Sequence, residues 1–253
     1  MCESNFERVV QDVLARYFLS SCIMSSLNGK NILITAGSTR GYLDAVRYIT
    51  NTSTGKLSCE IALEALHHGA SVTYIHGKDS ILPMVQDCND LKPDLLDLIE
   101  IETNEDLERV LKGMLRQRNF DAIIHAMAVS DYVPEKTKPD KISSKKEEWM
   151  IKLVRTPKVI NIIRKMWPET YLIGFKLEVN KKRDELVTIA RDFLKESKAD
   201  LIVANDSKEI SDRRHVAYFI CNDFDIPNQF ENKKKIAKGL ICHLEQLFKK
   251  DIY

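Results

Sequence analysis

From Lys30 onward the chain alternates short apolar runs with stretches of helical periodicity, and that alternation leaves few folds open. Asn31–Ala36 is apolar almost throughout and stops at Gly37, the pattern of a strand buried on both faces. Residues 57–68 carry Leu57, Ile61, Ala62, Ala65 and Leu66 at helical spacing, with Gly69 as the stop. The same grammar predicts strands over 71–75, 121–128, 149–154, 171–175, 200–204 and 216–221. Between and after them it predicts helices over 104–116 (capped by Thr103 or Asn104), 157–167, 183–197 and 233–250. Repeated strand–helix–strand units imply a doubly wound α/β domain. Its sheet is mostly parallel, with helices on both faces and ligands at the C-terminal strand ends.

Two segments stand outside this grammar. Residues 1–23 read as an amphipathic helical prefix, with Phe6, Val9, Val10, Val13, Leu14, Tyr17 and Phe18 on one stripe. Met24 offers an alternative start, and 24–253 is then the α/β domain itself. Residues 130–146 hold Pro134 and Pro139 among lysines and read as a long loop or flap, the kind of segment that usually serves function.

The 253 residues carry 38 Lys+Arg against 37 Asp+Glu, so bulk electrostatics gives no reason to expect a nucleic-acid partner. No apolar run is long enough to span a bilayer, and Glu3, Glu7 and Asp12 break any signal-peptide core. A soluble, cytoplasmic protein is expected. The cysteines are scattered without a CxxC pair, which argues for reduced thiols rather than a disulfide framework or zinc site.

The familiar nucleotide signatures fail on inspection. Gly37-Ser38-Thr39-Arg40-Gly41 lacks the G-x-G-x-x-G spacing of a dinucleotide turn. Gly55-Lys56 resembles the end of a phosphate-binding loop, but Thr50 stands where its first glycine belongs and Leu57 replaces Ser/Thr. Tyr132 and Lys136 match the spacing of a short-chain reductase pair, yet Pro134 between them disfavours the helix that pair needs. What remains is Asn51-Thr52-Ser53-Thr54-Gly55-Lys56 in front of a helix. That run serves equally as an anion site, from backbone N–H groups and hydroxyls, or as an ordinary N-cap. Lys136, Lys138, Lys141, Lys145, Lys146 and Lys152 read as a solvated surface or as cations that fold over a polyphosphate. His125, inside a strand, reads as a core histidine.

Taken in order, several segments resemble phosphopantothenate–cysteine ligase (phosphopantothenoylcysteine synthetase) of coenzyme A biosynthesis, in its stand-alone bacterial form. They are 32–40, 44–56, 126–132, 141–144, 156–160, 174–178 and 200–206, within a match over about 29–250. The resemblance implies a Rossmann-like fold and a reaction that joins 4′-phosphopantothenate to L-cysteine. The joining passes through an acyl-nucleotide made from CTP, or alternatively ATP, with Mg²⁺ and without flavin. It also implies a homodimer whose substrate site is completed across the interface.

By resemblance, Asn51 holds the acyl-nucleotide, Arg47 binds the substrate phosphate and Lys141 reaches the nucleotide from the loop. Ser53, Gly55 and Lys56 sit at the triphosphate. Asp131 accepts from the base amino group, with Ala126, Met127 and Ala128 approaching by backbone; the last two also border the substrate. Pro157, Lys158, Val159, Ile160 and Phe175 complete the nucleotide pocket. Two departures touch base choice. Phe193 and Ser197 stand where many bacterial members place nucleotide-contacting lysines, and Lys176, Lys195 or Lys198 could compensate.

Overall fold

The structure is a computed structural model that describes residues 27–84, 93–145, 147–211, 214–222 and 228–250. The helical prefix expected over 1–23 lies outside the described residues, as does Lys146.

The central strand is β1 (Asn31–Ala36), whose side chains alternate between two cores. It pairs in parallel with β4 (Ser71–Gly77) on one side and with β6 (Ala122–His125) on the other. Outward from β4 lies β5 (Leu96–Ile101), also parallel. Outward from β6 lie β9 (Tyr171–Glu178) and β10 (Leu201–Asp206), again parallel. Two antiparallel strands, β11 (Ala217–Ile220) and β12 (Asn228–Phe230), finish that edge. The order β12-β11-β10-β9-β6-β1-β4-β5 means the chain winds outward from the middle twice, in opposite directions. This is the doubly wound sheet that the alternation predicts, with its switch point between β1 and β6.

Ile32 and Ile34 face one core with α1 (Lys56–His67) and α5 (Lys233–Lys250). Leu33 faces the other, with the three intervening helices: α2 (Asn104–Arg109), α3 (Val159–Met166) and α4 (Arg183–Ser197). Helices therefore cover both faces. Within α5 the buried positions Ile236, Leu240, Ile241, Leu244 and Phe248 follow the predicted stripe.

Several elements depart from the sequence reading. The helix expected over 104–116 is α-helical only to Arg109 and continues as a π-turn over Val110–Met114, which keeps Leu107, Leu111 and Leu115 buried. Its cap is Thr103, in a reciprocal box with Asp106. The strand expected over 149–154 is β8 (Leu153–Arg155), and it leaves the main sheet to pair with β7 (Tyr132–Pro134). A second small sheet joins β2 (Arg40–Tyr42) to β3 (Tyr48–Thr50). These small sheets are the flap. They meet where Gly41 lies against Val133 and Pro134. Because Tyr132 is in an extended strand, it cannot share a helical turn with Lys136, and the reductase pair is excluded. Cys59 and Cys221 are buried, whereas Cys242 is disulfide-bonded, a pairing that scattered spacing does not reveal.

The helices α1 and α5 are joined at one polar point. His68 Nδ1 lies 2.6 Å from the buried Glu245 Oε1 and its Nε2 lies 3.5 Å from Glu64. Hydrogen bonding to Glu64 and then to Glu245 raises the His68 pKa from 6.5 to about 9. A raised folded-state pKa gives stability that is fully present below pH 6.5 and is lost as pH rises through about 9. The melting temperature should accordingly fall between pH 6.5 and 9, and His68→Ala should flatten that decline; a decline unchanged in the variant would refute the assignment.

Candidate functional site

Beyond their last ladder bonds, β1 and β6 continue side by side as irregular chain. Ala126 N donates to Thr35 O at 3.2 Å and Ala128 N to Gly37 O at 2.8 Å, and Ser38 bridges Ala128 in parallel. Thr35 Oγ1 accepts from Met127 N at 3.3 Å and lies 2.8 Å from His125 Nδ1. Burial pushes His125 down to about 4, so it is the neutral core histidine that the sequence suggests. Two residues on, Ser130 N donates to Thr39 Oγ1 at 2.9 Å. Segments 37–39 and 126–130 are therefore tied together at the switch point, and they border the crevice that a doubly wound sheet offers a ligand there.

The 50–56 run closes its third side. Thr50 Oγ1 donates to Thr39 O at 2.8 Å and to Ser38 Oγ at 2.9 Å. Asn51 Nδ2 lies 3.2 Å from Ala128 O and 3.3 Å from Val129 O, so its amide stands across the mouth of the crevice. Ser53 is half-buried and Lys56 exposed at the start of α1. Gly55 caps that helix at φ 75 with no side-chain cap, which leaves first-turn N–H groups facing the crevice. The end of β4 packs on Ser38, and the chain just beyond it reaches this run. A Cβ at Gly77 would come 2.1 Å from Ser38 O, and Ile81 N donates to Thr54 O at 3.0 Å.

The flap is fastened to the sheet by charge. Arg40 pairs with Asp79 and reaches Glu102, which also receives Tyr42 Oη and Lys78 Nζ. The Lys78 and Tyr42 bonds hold the Glu102 carboxyl below its ordinary range. A cavity of about 560 Å³ lies behind this network, between Arg40, Asp44, Thr103 and Lys138.

Two pairs of the predicted site residues meet by hydrogen bond, Asn51 with Ala128 and Asp131 with Lys158. Asp131 is exposed and accepts Lys158 Nζ at 2.8 and 2.9 Å, so two pocket residues meet as an ion pair. Lys141 is exposed on the loop and Pro157 on the lead into α3. Arg47 is already engaged: Nε donates to Asp44 Oδ2 at 2.9 Å and Nη2 to Ile142 O at 2.7 Å. Its guanidinium also lies 4.9 Å from the Trp149 ring centroid.

The remaining predicted residues lie deeper. The side chain of Met127 is buried in the second core, and Val159 and Ile160 join it there at 2% and 4% exposure, so none of the three lines a pocket by side chain. The amides of Ala126, Met127 and Ala128 are donated to β1 and its extension, so any backbone approach from this segment is by carbonyl oxygens. Phe175 packs with Ala126 and Leu57 against the first core. At the departures, Ser197 is buried and donates to Phe193 O at 2.6 Å. Phe193 packs on the second core beneath Lys176, whose Nζ is 5.5 Å from its ring centroid. Sequence reading missed Thr50, Thr39 and Asp44 as site builders. The buried Thr39 and Asp44, polar residues in a loop just after an apolar strand, were the available signal.

This geometry defines a doubly wound α/β protein with its polar groups collected at the switch-point crevice. The chain belongs to the family described as DNA/pantothenate metabolism flavoprotein C-terminal domain, whose model matches residues 27–247. It is 33% identical over 222 residues to the coenzyme A biosynthesis bifunctional protein CoaBC of Thermococcus kodakarensis, covering 88% of this chain and 52% of that protein. The chain thus spans about half the length of the curated relatives it matches. Among solved structures it superposes on the DNA/pantothenate metabolism flavoprotein of Streptococcus pneumoniae with TM-score 0.75 at 32% identity, covering 87% of this chain and 100% of that one. The C-terminal domain of a CoaBC protein follows with TM-score 0.68 and 29% identity, covering 90% and 100%.

Gly55 supplies a test of the crevice wall. Gly55→Ala forces a left-handed conformation on alanine and brings Cβ 3.2 Å from Gly37 N. Urea unfolding should show a loss of about 1–2 kcal/mol, and an unchanged midpoint would refute the local strain.

Proposed function

We propose that this chain is a phosphopantothenate–cysteine ligase acting through an acyl-nucleotide formed from CTP. The observation that carries the reading is the Asn51 amide laid across the Ala128 and Val129 carbonyls at the switch point, inside the family's matched span. In the proposed reaction a carboxylate oxygen of 4′-phosphopantothenate attacks the α-phosphorus, and pyrophosphate leaves as its bridging bond breaks. The cysteine amine then attacks the acyl carbon, the nucleoside monophosphate leaves, and an amide remains. No protein nucleophile is required; the chain's task is positioning and charge neutralisation.

The residues fit that task. Asn51 has a neutral amide for carbonyl and phosphate oxygens, Lys141 brings a mobile-side-chain cation, and Arg47 offers a guanidinium to the substrate phosphate. Asp131 supplies an acceptor for an exocyclic amino group, which cytosine and adenine both carry. ATP is the second reading, because Phe193 and Ser197 turn into the core rather than offering cations. Mg²⁺ would arrive with the nucleotide phosphates: among the described residues no group of three His, Cys, Asp or Glu side chains is placed to cage an ion. Among those residues no helix is long and apolar enough to cross a membrane.

A homodimer is part of the proposal. The small sheets expose Tyr48, Ile49, Tyr132 and Leu153, and Met150 just before β8 is 91% exposed. So much apolar surface on a flap is suited to a second copy. Sedimentation should show a dimer that Tyr132→Lys weakens; a monomeric wild-type chain would remove this part of the reading.

Pyrophosphate release with 4′-phosphopantothenate, Mg²⁺ and either CTP or ATP, with and without cysteine, tests the ligase. Sustained release should need cysteine and favour CTP. Asn51→Asp should depress amide formation and Lys141→Gln nucleotide activation, each by about a hundredfold. Normal turnover in both variants would sink the site assignment, and no release with either nucleotide would sink the ligase.

A further inference from the structure

Asp44 is fully buried, yet it lies in the turn between β2 and β3 and touches neither the crevice wall nor any residue assigned a chemical role except Arg47. Its carboxylate is saturated. Oδ1 accepts from Val46 N at 3.0 Å and from Arg47 N at 2.9 Å, which shapes the turn. Oδ2 accepts from Arg47 Nε at 2.9 Å, from Arg47 Nη2 at 2.5 Å and from Ile142 N at 3.1 Å. Arg47 Nη2 then donates to Ile142 O at 2.7 Å. The peptide groups of Ile142 are thus gripped by both members of one ion pair, 98 residues away in sequence for Asp44. Ile142 is the neighbour of Lys141. Two weaker ties lie upstream on the same loop: Lys138 N donates to Leu43 O at 3.1 Å and Thr137 Oγ1 to Tyr42 O at 2.9 Å.

Geometry of this kind has a purpose beyond shaping a turn. A five-donor carboxylate could be satisfied locally, but here one donor comes from an otherwise exposed loop that has almost no apolar anchor of its own. We propose that Asp44 is a positioning residue that locks Arg47 and the Lys141 loop into one unit, so that the substrate-phosphate cation and the nucleotide cation are held at a fixed separation. This rests on the ligase reading of the site. The Arg47 hydrogen bond, reinforced by the Val46, Ile142 and Arg47 backbone donors, holds the Asp44 carboxyl well below the usual carboxylate range, so the clamp keeps its charge throughout the neutral range. Because Arg47 shares its guanidinium between Asp44 and Ile142 O, a phosphate that engages Arg47 acts directly on the loop carrying Lys141.

The test uses the full chain and has one readout independent of catalysis. Limited trypsin digestion of the unliganded protein should cut after Lys136, Lys141 and Lys145 about tenfold faster in Asp44→Asn than in wild type, the effect of losing a charge-assisted hydrogen bond from a local opening equilibrium. Ile142→Pro removes the loop's donor and leaves the Asp44–Arg47 pair; because a Lys–Pro bond resists trypsin, its readout is cleavage after Lys136 and Lys145, which should be faster than in wild type even if Asp44→Asn folds poorly. In the pyrophosphate assay, Ile142→Pro should raise the KM for nucleotide while its melting temperature stays near wild type. Cleavage at the wild-type rate in Ile142→Pro would overturn the clamp. Faster cleavage with unchanged KM and kcat would overturn its link to Lys141. A wild-type chain without ligase activity would fail the ligase reading alone, because the digestion still reports on the clamp.

Discussion

The parallel pairing of β1 with both β4 and β6 is the constraint from which the rest of the molecule follows. Parallel neighbours cannot be joined by tight turns, so each pairing demands a crossover, and the crossovers must lie on opposite faces when the chain winds both ways from the centre. That places α1 on one face and α2 to α4 on the other, and it buries β1 twice over, with Ile32 and Ile34 in one core and Leu33 in the other. It also brings the segments leaving β1 and β6 together at the switch point, the end of the sheet where this architecture places its ligands. Removing a single β1 side chain, such as Ile34→Ala, would open a cavity at about 2–5 kcal/mol.

Polar chemistry then accumulates where the ladder ends. Backbone donors of 126–128 are consumed in tying the two departing segments together, through Thr35 O, Thr35 Oγ1 and Gly37 O. This leaves carbonyls at the mouth, and the Asn51 amide is the complement that those carbonyls require. The cations proposed for the site come from elsewhere, from the turn holding Arg47 and the loop holding Lys141. Their placement depends on Asp44 and Ile142 rather than on the sheet. Scaffold and charge are therefore built by different means: hydrophobic burial for the crevice, ion-pair geometry for the groups around it.

Several parts of this were readable in advance for physical reasons. A strand buried on both faces is apolar in most positions, so β1, β4, β6 and β10 announce themselves as mainly apolar runs. Amphipathic helices likewise carry their own period, and α1, α4 and α5 fall where that period placed them. The three-residue strands of the flap have no such signature, since β3 is exposed at every position and β8 at two of three. Nor could β8 be separated from the main sheet by pattern. Similar limits apply to Met127, Val159 and Ile160: proximity in sequence to a pocket says nothing about which way a side chain turns, and all three turn into the core.

The sequence by itself determined the fold class, the order of its main elements and the segment that would border the ligand crevice, because apolar period and motif order are local properties of a chain. Its Asn51, Arg47, Asp131 and Lys141 were singled out by the family resemblance. Tertiary structure alone decided how they are partnered: Asn51 with carbonyls 77 and 78 residues away, Asp131 with Lys158, and Arg47 with Asp44 and Ile142. A hydrogen bond's worth depends on distance, direction and burial, and those are set only when distant segments are brought together by the core.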